Sequence, residues 1–515
     1  MAPTDARRRW LRRLAAAAAG ATVSLAFAPF GLWPLAILGP AVLIALWDGT
    51  TPRHAAALGF WFNAGTFAAG TYWLYVSIHV FGAAPLWIAF LLMLGLVAIM
   101  GAYHAALGYA VARWLPARGA WRWVVGIPAA WLLVEWLRGW FLSGFSWLSL
   151  GYSQTDTWLA RLAPVGGVYT ISAVTLVSAG TLVWLLRAPD LRGRGAALLL
   201  LAAPWLAALA LDRDWTHASG PPVRVAVLQG AVPQDIKWLE DNRETTLRLY
   251  AKLTREALGE PLIVMPESAL PDLANNLVPF IGRLYSEASA RGSALVLGLV
   301  RLSDDGQHYF NSVAALDGQG VTWYDKHHLV PFAEFFPVPK FVRGWLRLMS
   351  LPYSDFRRGR PDPAPLAAGG LKVAATICYE DAFGAEQLAL LRSADVLVNV
   401  TNDAWFGRSP ARYQHFQIAR MRALESGRYL VRAANDGVSA LIGPRGEVLA
   451  AAAEYRPTVL QGTVRPMSGL TPYARAGNVP VVALGLAGVA AAIHAGRRRR
   501  QRDRAAGQRP RIEAS

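Results

Sequence analysis

The sequence predicts an α/β domain inserted into a bundle of eight membrane-spanning helices. Of the 515 residues, 54% are hydrophobic and only 17% are charged, whereas soluble domains usually carry about 25% charged residues. Apolar runs of membrane-spanning length fill the first part of the chain and recur near its end, and between them the runs shorten to strand length. We therefore divide the chain into seven spans within 1–215, an outer domain over 216–475, an eighth span over 476–496 and a basic tail over 497–515.

Eight apolar runs are long enough to cross a bilayer, which takes about 20 predominantly apolar residues. They lie near 13–30, 32–48, 55–79, 85–112, 121–142, 162–186, 195–212 and 478–496. The first run is led by arginines and is rich in alanine, so a cleaved signal peptide is the alternative for it. Because further apolar runs follow at once, we expect a retained helix.

The excess of positive charge sets the predicted orientation. The chain carries 51 Lys and Arg against 34 Asp and Glu, a formal net charge of +17, and arginines concentrate within 7–13 and 497–504. Such clusters mark the cytoplasmic side of a membrane protein, and an even number of spans brings both termini there. The outer domain then lies on the opposite face. A disordered tail that binds nucleic acid is the alternative for the C-terminal cluster, but no aromatic residues are interleaved with its arginines.

Two charged residues fall near the end of the fifth apolar run. Glu135 and Arg138 are three residues apart and so share one face of a helix. Because a bare charge inside the bilayer is costly, we expect the two to pair with each other, facing the bundle or a cavity. A structural ion pair and a contact with substrate are both compatible with this pattern.

The outer domain alternates between strand-like and helix-like stretches. Strands are predicted over 223–229, 262–265, 294–300, 312–316, 373–378, 396–400 and 438–442, and helices over 242–258, 279–291 and 412–431. This alternation is typical of an α/β sheet domain with helices on its faces. Asp-Gly-Gln-Gly at 317–320 predicts a hairpin turn. Residues 331–353 fit neither period and contain four Phe and one Trp, so we expect an arm that rests on the bilayer surface.

Three polar residues at strand ends can together supply nucleophilic catalysis. Glu267 follows the strand 262–265, Lys326 follows a hairpin strand, and Cys378, the only cysteine, ends another strand. A thiol needs a base, and a carboxylate can serve; an ammonium can then stabilise the thiolate and an oxyanion. Taken singly, each has a simpler interpretation: an inert core thiol, a solvated carboxylate and a surface lysine paired with Asp325. A single cysteine also excludes a disulfide framework and a multi-cysteine metal site.

The sequence around these three residues resembles the nitrilase superfamily. Glu267 stands in Pro-Glu-Ser-Ala, Lys326 in Tyr-Asp-Lys-His-His-Leu-Val-Pro-Phe and Cys378 in Ile-Cys-Tyr-Glu. More narrowly, the chain resembles the bacterial apolipoprotein N-acyltransferase family. The motifs that carry this resemblance include Glu-Trp-Leu-Arg-Gly-Trp at 135–140, Thr-Asn-Asp-Ala-Trp-Phe-Gly-Arg-Ser at 401–409 and Gln-His-Phe-Gln-Ile-Ala-Arg at 414–420. One departure is His327, where a small polar residue is expected after the lysine.

The resemblance implies a nitrilase-like, four-layer αββα sandwich inserted in an eight-helix transmembrane bundle. It implies that an acyl chain passes from a membrane phospholipid to the N-terminal amine of a diacylglyceryl-cysteine in an apolipoprotein, through a thioester on Cys378. Trp238, Glu334, Tyr379 and Glu380 correspond to further site residues of the family; Glu334 would support the lysine or the thiol, and the Tyr379 backbone N–H would donate to the oxyanion. The resemblance implies no metal or cofactor, and a monomer in the inner membrane with its catalytic domain on the periplasmic face.

Two other functions are compatible with the sequence. A membrane-anchored amidase or nitrilase that acts on a small soluble substrate would use the same three residues, although a single helix would suffice as its anchor. A transporter whose outer domain only binds ligand would need charged residues within the bundle, and the apolar runs contain few. Neither alternative accounts for both the apolar runs and the strand-end triad.

Overall fold

The N-terminal part of the chain folds into seven helices in the order that the apolar runs predict. The structure is a computed structural model, and it describes residues 3–303, 305–318, 320–335 and 356–507. The helices are α1 (Pro3–Val23), α2 (Leu35–Leu46), α3 (Pro52–Gly70), α4 (Leu86–Trp114), α5 (Ile127–Arg138), α6 (Ala163–Arg187) and α7 (Leu191–Ala210). Within the described residues, five further helices follow: α8 (Glu240–Glu256), α9 (Val278–Ser289), α10 (Leu388–Leu391), α11 (Ala411–Ser426) and α12 (Pro472–Ala476). The last helix, α13 (Val479–Gly507), overlaps the eighth apolar run.

Four helical segments of the described chain are long and apolar enough to cross a membrane. They are Leu86–Trp114, Trp158–Arg187, Leu191–Ala210 and Val479–Arg498. Each of the other four expected spans also coincides with a helix, but α2 and α5 have only 12 residues each, and α1 begins within the arginine cluster rather than at residue 13. Length and composition therefore do not confirm the predicted count of eight spans.

Glu135 and Arg138 do not pair with each other as predicted. Both side chains are buried, but no ion pair joins them among the residues that the structure describes. Each instead binds the chain that follows α5. Arg138 donates to the carbonyl oxygens of Phe145 and Trp147, the latter at 2.7 Å, and Glu135 accepts from the Leu150 N–H at 3.2 Å. The fifth helix ends at Arg138 because the backbone beyond it turns repeatedly. The side chains of Arg138 and Glu135 hydrogen-bond to polar groups of that backbone.

The described part of the outer domain contains two six-stranded sheets. In chain order the strands are β1 (His217–Ala218), β2 (Val223–Gln229), β3 (Leu262–Val264), β4 (Ala294–Leu302), β5 (Tyr309–Asp317), β6 (Gly320–Asp325), β7 (Leu366–Ala368), β8 (Leu371–Ile377), β9 (Val396–Thr401), β10 (Leu430–Ala434), β11 (Ala440–Ile442), β12 (Val448–Ala451), β13 (Thr458–Val464) and β14 (Met467–Ser468). One sheet has the order β13-β2-β3-β4-β5-β6, and the other β12-β11-β10-β9-β8-β7. The central strands of each sheet run parallel, and β1 pairs with β14 in a separate ribbon.

The two sheets pack face to face, and helices cover their outer faces. Successive side chains of a strand point to opposite faces. Val225 and Val227 of β2 therefore face Val373 of the other sheet in a shared core, while Ala226 and Leu228 contact the cluster that holds α8 and α9. Helix α11 covers the second sheet, and its far side packs against the membrane bundle. This arrangement confirms the four-layer αββα sandwich.

Some element boundaries in the outer domain differ from the sequence prediction. The helix expected over 412–431 ends at Ser426, because Gly427 adopts a left-handed conformation (φ 62°) that closes the helix, and the next residues form β10. The strand expected over 373–378 ends at Ile377, and Cys378 begins a tight helical turn. The predicted hairpin turn is confirmed by the antiparallel pairing of β5 with β6. Of the predicted arm 331–353, residues 336–353 lie outside the described residues.

Candidate active site

The three strand-end residues meet between the two sheets. Glu267 follows β3 and Lys326 follows β6, both in the first sheet, and Cys378 follows β8 in the second sheet. The Lys326 ammonium lies 3.8 Å from the nearer Glu267 carboxylate oxygen. Cys378 has a left-handed backbone (φ 52°), which is rare outside glycine, and it is only partly buried. The sharp turn therefore presents a thiol at the edge of the core instead of within it.

The Lys326 ammonium lies between the carboxylates of Glu267 and Glu334, and the side-chain amide of Asn311 donates a hydrogen bond to each of them. The ammonium is 2.9 Å from Glu334 Oε1 and 3.8 Å from Glu267 Oε1. The Asn311 side chain of β5 donates to Glu267 Oε1 at 2.7 Å and to Glu334 Oε1 at 2.8 Å. Glu334 Oε2 accepts from the Val330 N–H at 2.8 Å. Glu334 thus contacts the lysine directly, and its supporting role in catalysis stays a prediction.

The electrostatics of the site favour a charged lysine and a neutral thiol. Burial alone would lower the pKa of Lys326, but the carboxylates of Glu334 and Glu267 outweigh burial and raise this pKa above its ordinary value. Burial also raises the pKa of the Cys378 thiol well above its ordinary range, Glu267 raises it further, and Lys326 only partly opposes them. The resting thiol therefore keeps its proton and can act as a nucleophile only if a base removes that proton during attack.

Glu380 fastens the lysine-bearing segment to the cysteine-bearing turn. Its carboxylate accepts hydrogen bonds from the Ile377 N–H at 2.8 Å and from the N–H groups of His327 and His328 at 2.8 and 3.0 Å. The Tyr324 hydroxyl donates to the same carboxylate at 2.8 Å. Burial raises the pKa of Glu380, although Lys326 and these hydrogen bonds oppose it. Because β6 and β8 belong to different sheets, this side chain links the two sheets at the site.

Tyr379 and Trp238, two further predicted residues, lie at the periphery of the site. The Tyr379 hydroxyl donates to the Gly144 carbonyl oxygen at 3.1 Å, so its side chain points toward the loop after α5, while its backbone directly follows Cys378. Trp238 is 49% exposed and makes no hydrogen bond with the triad among the residues that the structure describes. Its neighbour Lys237 is fully buried and donates to the Glu267 carbonyl oxygen at 3.4 Å. Burial lowers the pKa of Lys237 to about 8, with Glu267 opposing.

Three residues near the site were not predicted: Asn311, Lys237 and His415. His415 of α11 has its Nε2 3.1 Å from the Cys378 carbonyl oxygen. The motif around His415 was visible in the sequence as a family resemblance, but its spacing alone indicated no role. Asn311 lies within an apolar strand and Lys237 beside an exposed Trp, so a search for charged residues at strand ends passes over both. Within the described ranges, no group of three or more His, Cys, Asp or Glu side chains is placed to hold a metal ion.

Two family models together match most of the chain. The model of the apolipoprotein N-acyltransferase N-terminal domain matches residues 19–181, which contain most of the N-terminal helices. The model of carbon-nitrogen hydrolases matches residues 224–473, which contain the two sheets and the site. Among solved structures, an amidase of the nitrilase superfamily from Nesterenkonia AN1 is similar at 20% sequence identity and a TM-score of 0.38, covering 50% of this chain and 95% of the amidase chain.

Curated relatives match along almost the whole length. The apolipoprotein N-acyltransferase of Chromobacterium violaceum is 42% identical over 473 residues, which cover 91% of each chain. That of Methylococcus capsulatus is 41% identical, covering 94% of this chain and 96% of the relative, and that of Pseudomonas aeruginosa is 42% identical, covering 93% and 94%. Identity at this level and over this length shows common descent of both parts of the chain. The chain therefore belongs to the apolipoprotein N-acyltransferase family.

Proposed function

We propose that this protein transfers an acyl chain from a membrane phospholipid to the N-terminal amine of the S-diacylglyceryl-cysteine of an apolipoprotein. The observation that carries the proposal is the thiol of a partly buried cysteine, Cys378, beside the Lys326–Glu267 pair in a member of this family. Relatives that bear the name apolipoprotein N-acyltransferase match more than 90% of the chain. The helices at both ends of the chain would place the thiol beside a lipid bilayer.

The first half-reaction forms a thioester on Cys378. The sulfur attacks the ester carbonyl of the phospholipid while the Glu267 carboxylate takes the thiol proton. The charge that develops on the carbonyl oxygen is stabilised by the Lys326 ammonium and by the Tyr379 backbone N–H. The carbon–oxygen bond of the ester then breaks, the leaving alkoxide receives the proton held by Glu267, and a lysophospholipid departs.

The second half-reaction returns the enzyme to its starting state. The free α-amine of the diacylated apolipoprotein attacks the thioester carbonyl, and Glu267 accepts a proton from that amine. When the carbon–sulfur bond breaks, the thiolate of Cys378 recovers this proton and the amide product leaves. Two acyl-bearing substrates use the same thiol in turn, so the kinetics should be ping-pong.

Contacts between the outer domain and the bundle support a lipid-facing site. The loop 139–149, which follows α5, lies directly against the cysteine turn: the Ser146 hydroxyl donates to the Ala382 carbonyl oxygen at 2.7 Å, and Tyr379 binds Gly144. We propose eight spans, with residues 216–475 on the periplasmic face of the bacterial inner membrane and 497–515 in the cytoplasm. We also propose that the protein is a monomer.

The decisive experiment separates the two half-reactions. Purified protein in detergent is incubated with phospholipid alone, and the intact mass is measured before and after a synthetic diacylated lipopeptide is added. We expect one acyl adduct that disappears as triacylated lipopeptide forms. Cys378→Ala should show neither product, and Cys378→Ser should fold with negligible turnover.

Kinetics provide the second criterion. Double-reciprocal plots against phospholipid at several lipopeptide concentrations should give parallel lines. Intersecting lines with no lysophospholipid released before lipopeptide is added would contradict the thioester mechanism. Hydrolysis of a small soluble amide at a rate comparable with lipid-dependent turnover would favour an anchored amidase instead.

A further inference from the structure

A buried histidine contacts the backbone of the proposed nucleophile. His415 is fully buried on α11, and its Nε2 lies 3.1 Å from the Cys378 carbonyl oxygen. A carbonyl oxygen only accepts hydrogen bonds, so Nε2 must carry a hydrogen and donate it. This contact lies behind the cysteine turn and involves no atom that reacts.

The other side of the imidazole is held by a buried charge network. His415 Nδ1 is 2.8 Å from Asp403 Oδ1, and the Arg432 guanidinium donates to Asp403 Oδ2 at 2.9 Å. Arg432 is itself anchored by Asn399 at 2.6 Å. Although burial opposes it, Arg432 and the contact with His415 hold the pKa of Asp403 below its ordinary range. With both nitrogens engaged, the ring has one orientation.

The hydrogen bond to the carbonyl oxygen also directs the next amide. The Cys378–Tyr379 peptide is trans, and a trans peptide is planar, with its C=O and N–H pointing in opposite directions. Holding the Cys378 carbonyl oxygen against α11 therefore turns the Tyr379 N–H away from α11. The left-handed backbone of Cys378 is a sparsely populated conformation that persists only when its surroundings constrain it.

We propose that His415 is a positioning residue of the oxyanion site: through the Cys378 carbonyl it aims the Tyr379 N–H at the developing oxyanion. The inference rests on the proposed function for the role of that N–H, but it concerns only acylation of the thiol by a carbonyl compound. Loss of one oxyanion donor typically slows an enzyme about 100- to 1,000-fold. Misalignment of the Tyr379 N–H should therefore slow acylation to a similar extent.

Replacement of His415 by Gln or by Asn tests the contacts of Nε2 and Nδ1 separately. In His415→Gln, the side-chain amide reaches the position of Nε2 and can still donate to the Cys378 carbonyl oxygen. In His415→Asn, the shorter amide occupies the position of Nδ1 and keeps only the contacts of that atom, with Asp403 at 2.8 Å and with Arg432 at 3.1 Å. Both variants bury a neutral amide, so they differ in reach and not in polarity. His217→Phe, in the ribbon of β1 and β14, serves as the control.

The experiment compares two reactions of the same thiol. The acylation burst with p-nitrophenyl butyrate passes through an oxyanion, whereas alkylation of Cys378 by iodoacetamide does not. We expect His415→Asn to lose at least about 100-fold in the burst rate, His415→Gln to remain within about tenfold of wild type, and alkylation to stay within about threefold in both. Because the ester is soluble, this result is independent of whether lipids and lipopeptides are the natural substrates.

Three results would overturn the proposal. One is a burst rate in His415→Asn equal to or above that in His415→Gln, which would show that only the Nδ1 contacts with Asp403 and Arg432 matter. Another is a parallel fall of alkylation and acylation, which would show that the histidine merely holds the fold. If His415→Asn does not accumulate, His415→Gln decides: a burst within tenfold of wild type supports the proposal, and a loss beyond 100-fold with normal alkylation refutes it.

Discussion

The buried ammonium of Lys237 should make the protein less stable at neutral pH than it would be with an apolar side chain there. Lys237 is fully buried, and the hydrogen bond that the structure describes for it runs to the Glu267 carbonyl oxygen at 3.4 Å. A charge so poorly solvated is unfavourable unless it is paired. We therefore predict that Lys237→Met, which is similar in length and apolar, raises the free energy of unfolding.

The size of the effect follows from the pKa of Lys237. Burial lowers this pKa from 10.5 to about 8. A pKa difference of one corresponds to about 1.4 kcal/mol, so charging this amine costs about 3 kcal/mol more in the folded protein than in the unfolded chain. Between pH 8 and 10.5 the unfolded chain still binds the proton that the folded protein has released. The stability of the wild type therefore rises with pH across this window, and the advantage of Lys237→Met should shrink over the same window.

Thermal unfolding in detergent between pH 7 and 10 measures both quantities. For a domain of this size, about 1 kcal/mol corresponds to about 2–4 °C, so Lys237→Met should unfold about 6–12 °C higher at pH 7. The matched control is Lys252→Met on α8, because Lys252 is 74% exposed and its removal should change the transition little at any pH.

A gain that does not depend on pH, or a loss of stability at pH 7, would refute this reasoning. The activity of Lys237→Met, in contrast, should fall. Without the ammonium on its carbonyl oxygen, Glu267 is less well held, and we expect thioester formation to slow about tenfold, which corresponds to about 1.4 kcal/mol, the scale of one hydrogen bond to a charged group. If Lys237→Met is more stable than the wild type and equally active, Lys237 has no role at the site.

Three further substitutions test other parts of the site. Glu380→Gln should lower the free energy of unfolding by about 2–4 kcal/mol, because an amide leaves a buried N–H without its acceptor; an unchanged urea midpoint would contradict the bridging role. Lys326→Arg should block the adduct on Cys378 in intact-mass spectra, since a planar guanidinium cannot replace a compact ammonium between two carboxylates; wild-type adduct levels would argue otherwise. Arg138→Gln should loosen the loop 139–149 and reduce acylation by phospholipid more than by a soluble activated ester, whereas equal losses would indicate general misfolding.

Local patterns in the sequence determined the elements and the three main site residues. Each expected span overlaps a helix, because apolar runs and turn residues act over short distances along the chain. Glu267, Lys326 and Cys378 were identifiable because each is a reactive group just past an apolar strand. The ends of elements were less predictable. The expected helix over 412–431 ran into β10, since nothing in its apolar content marks the point at which Gly427 ends it.

Contacts between distant segments were decided only by tertiary structure. Glu135 and Arg138 share a helix face, and their spacing alone predicts an ion pair. In the folded protein each finds a better partner in the backbone beyond α5, because buried peptide groups must also be satisfied.

The same limit applies around the thiol. Glu380 binds backbone groups more than 50 residues away in the sequence, and His415 reaches the Cys378 carbonyl oxygen across 37 residues. Hydrogen bonds of this kind depend on how the two sheets and α11 pack, not on any local period. The sequence by itself thus determined which groups can react, whereas the face-to-face packing of the sheets determined how those groups are held.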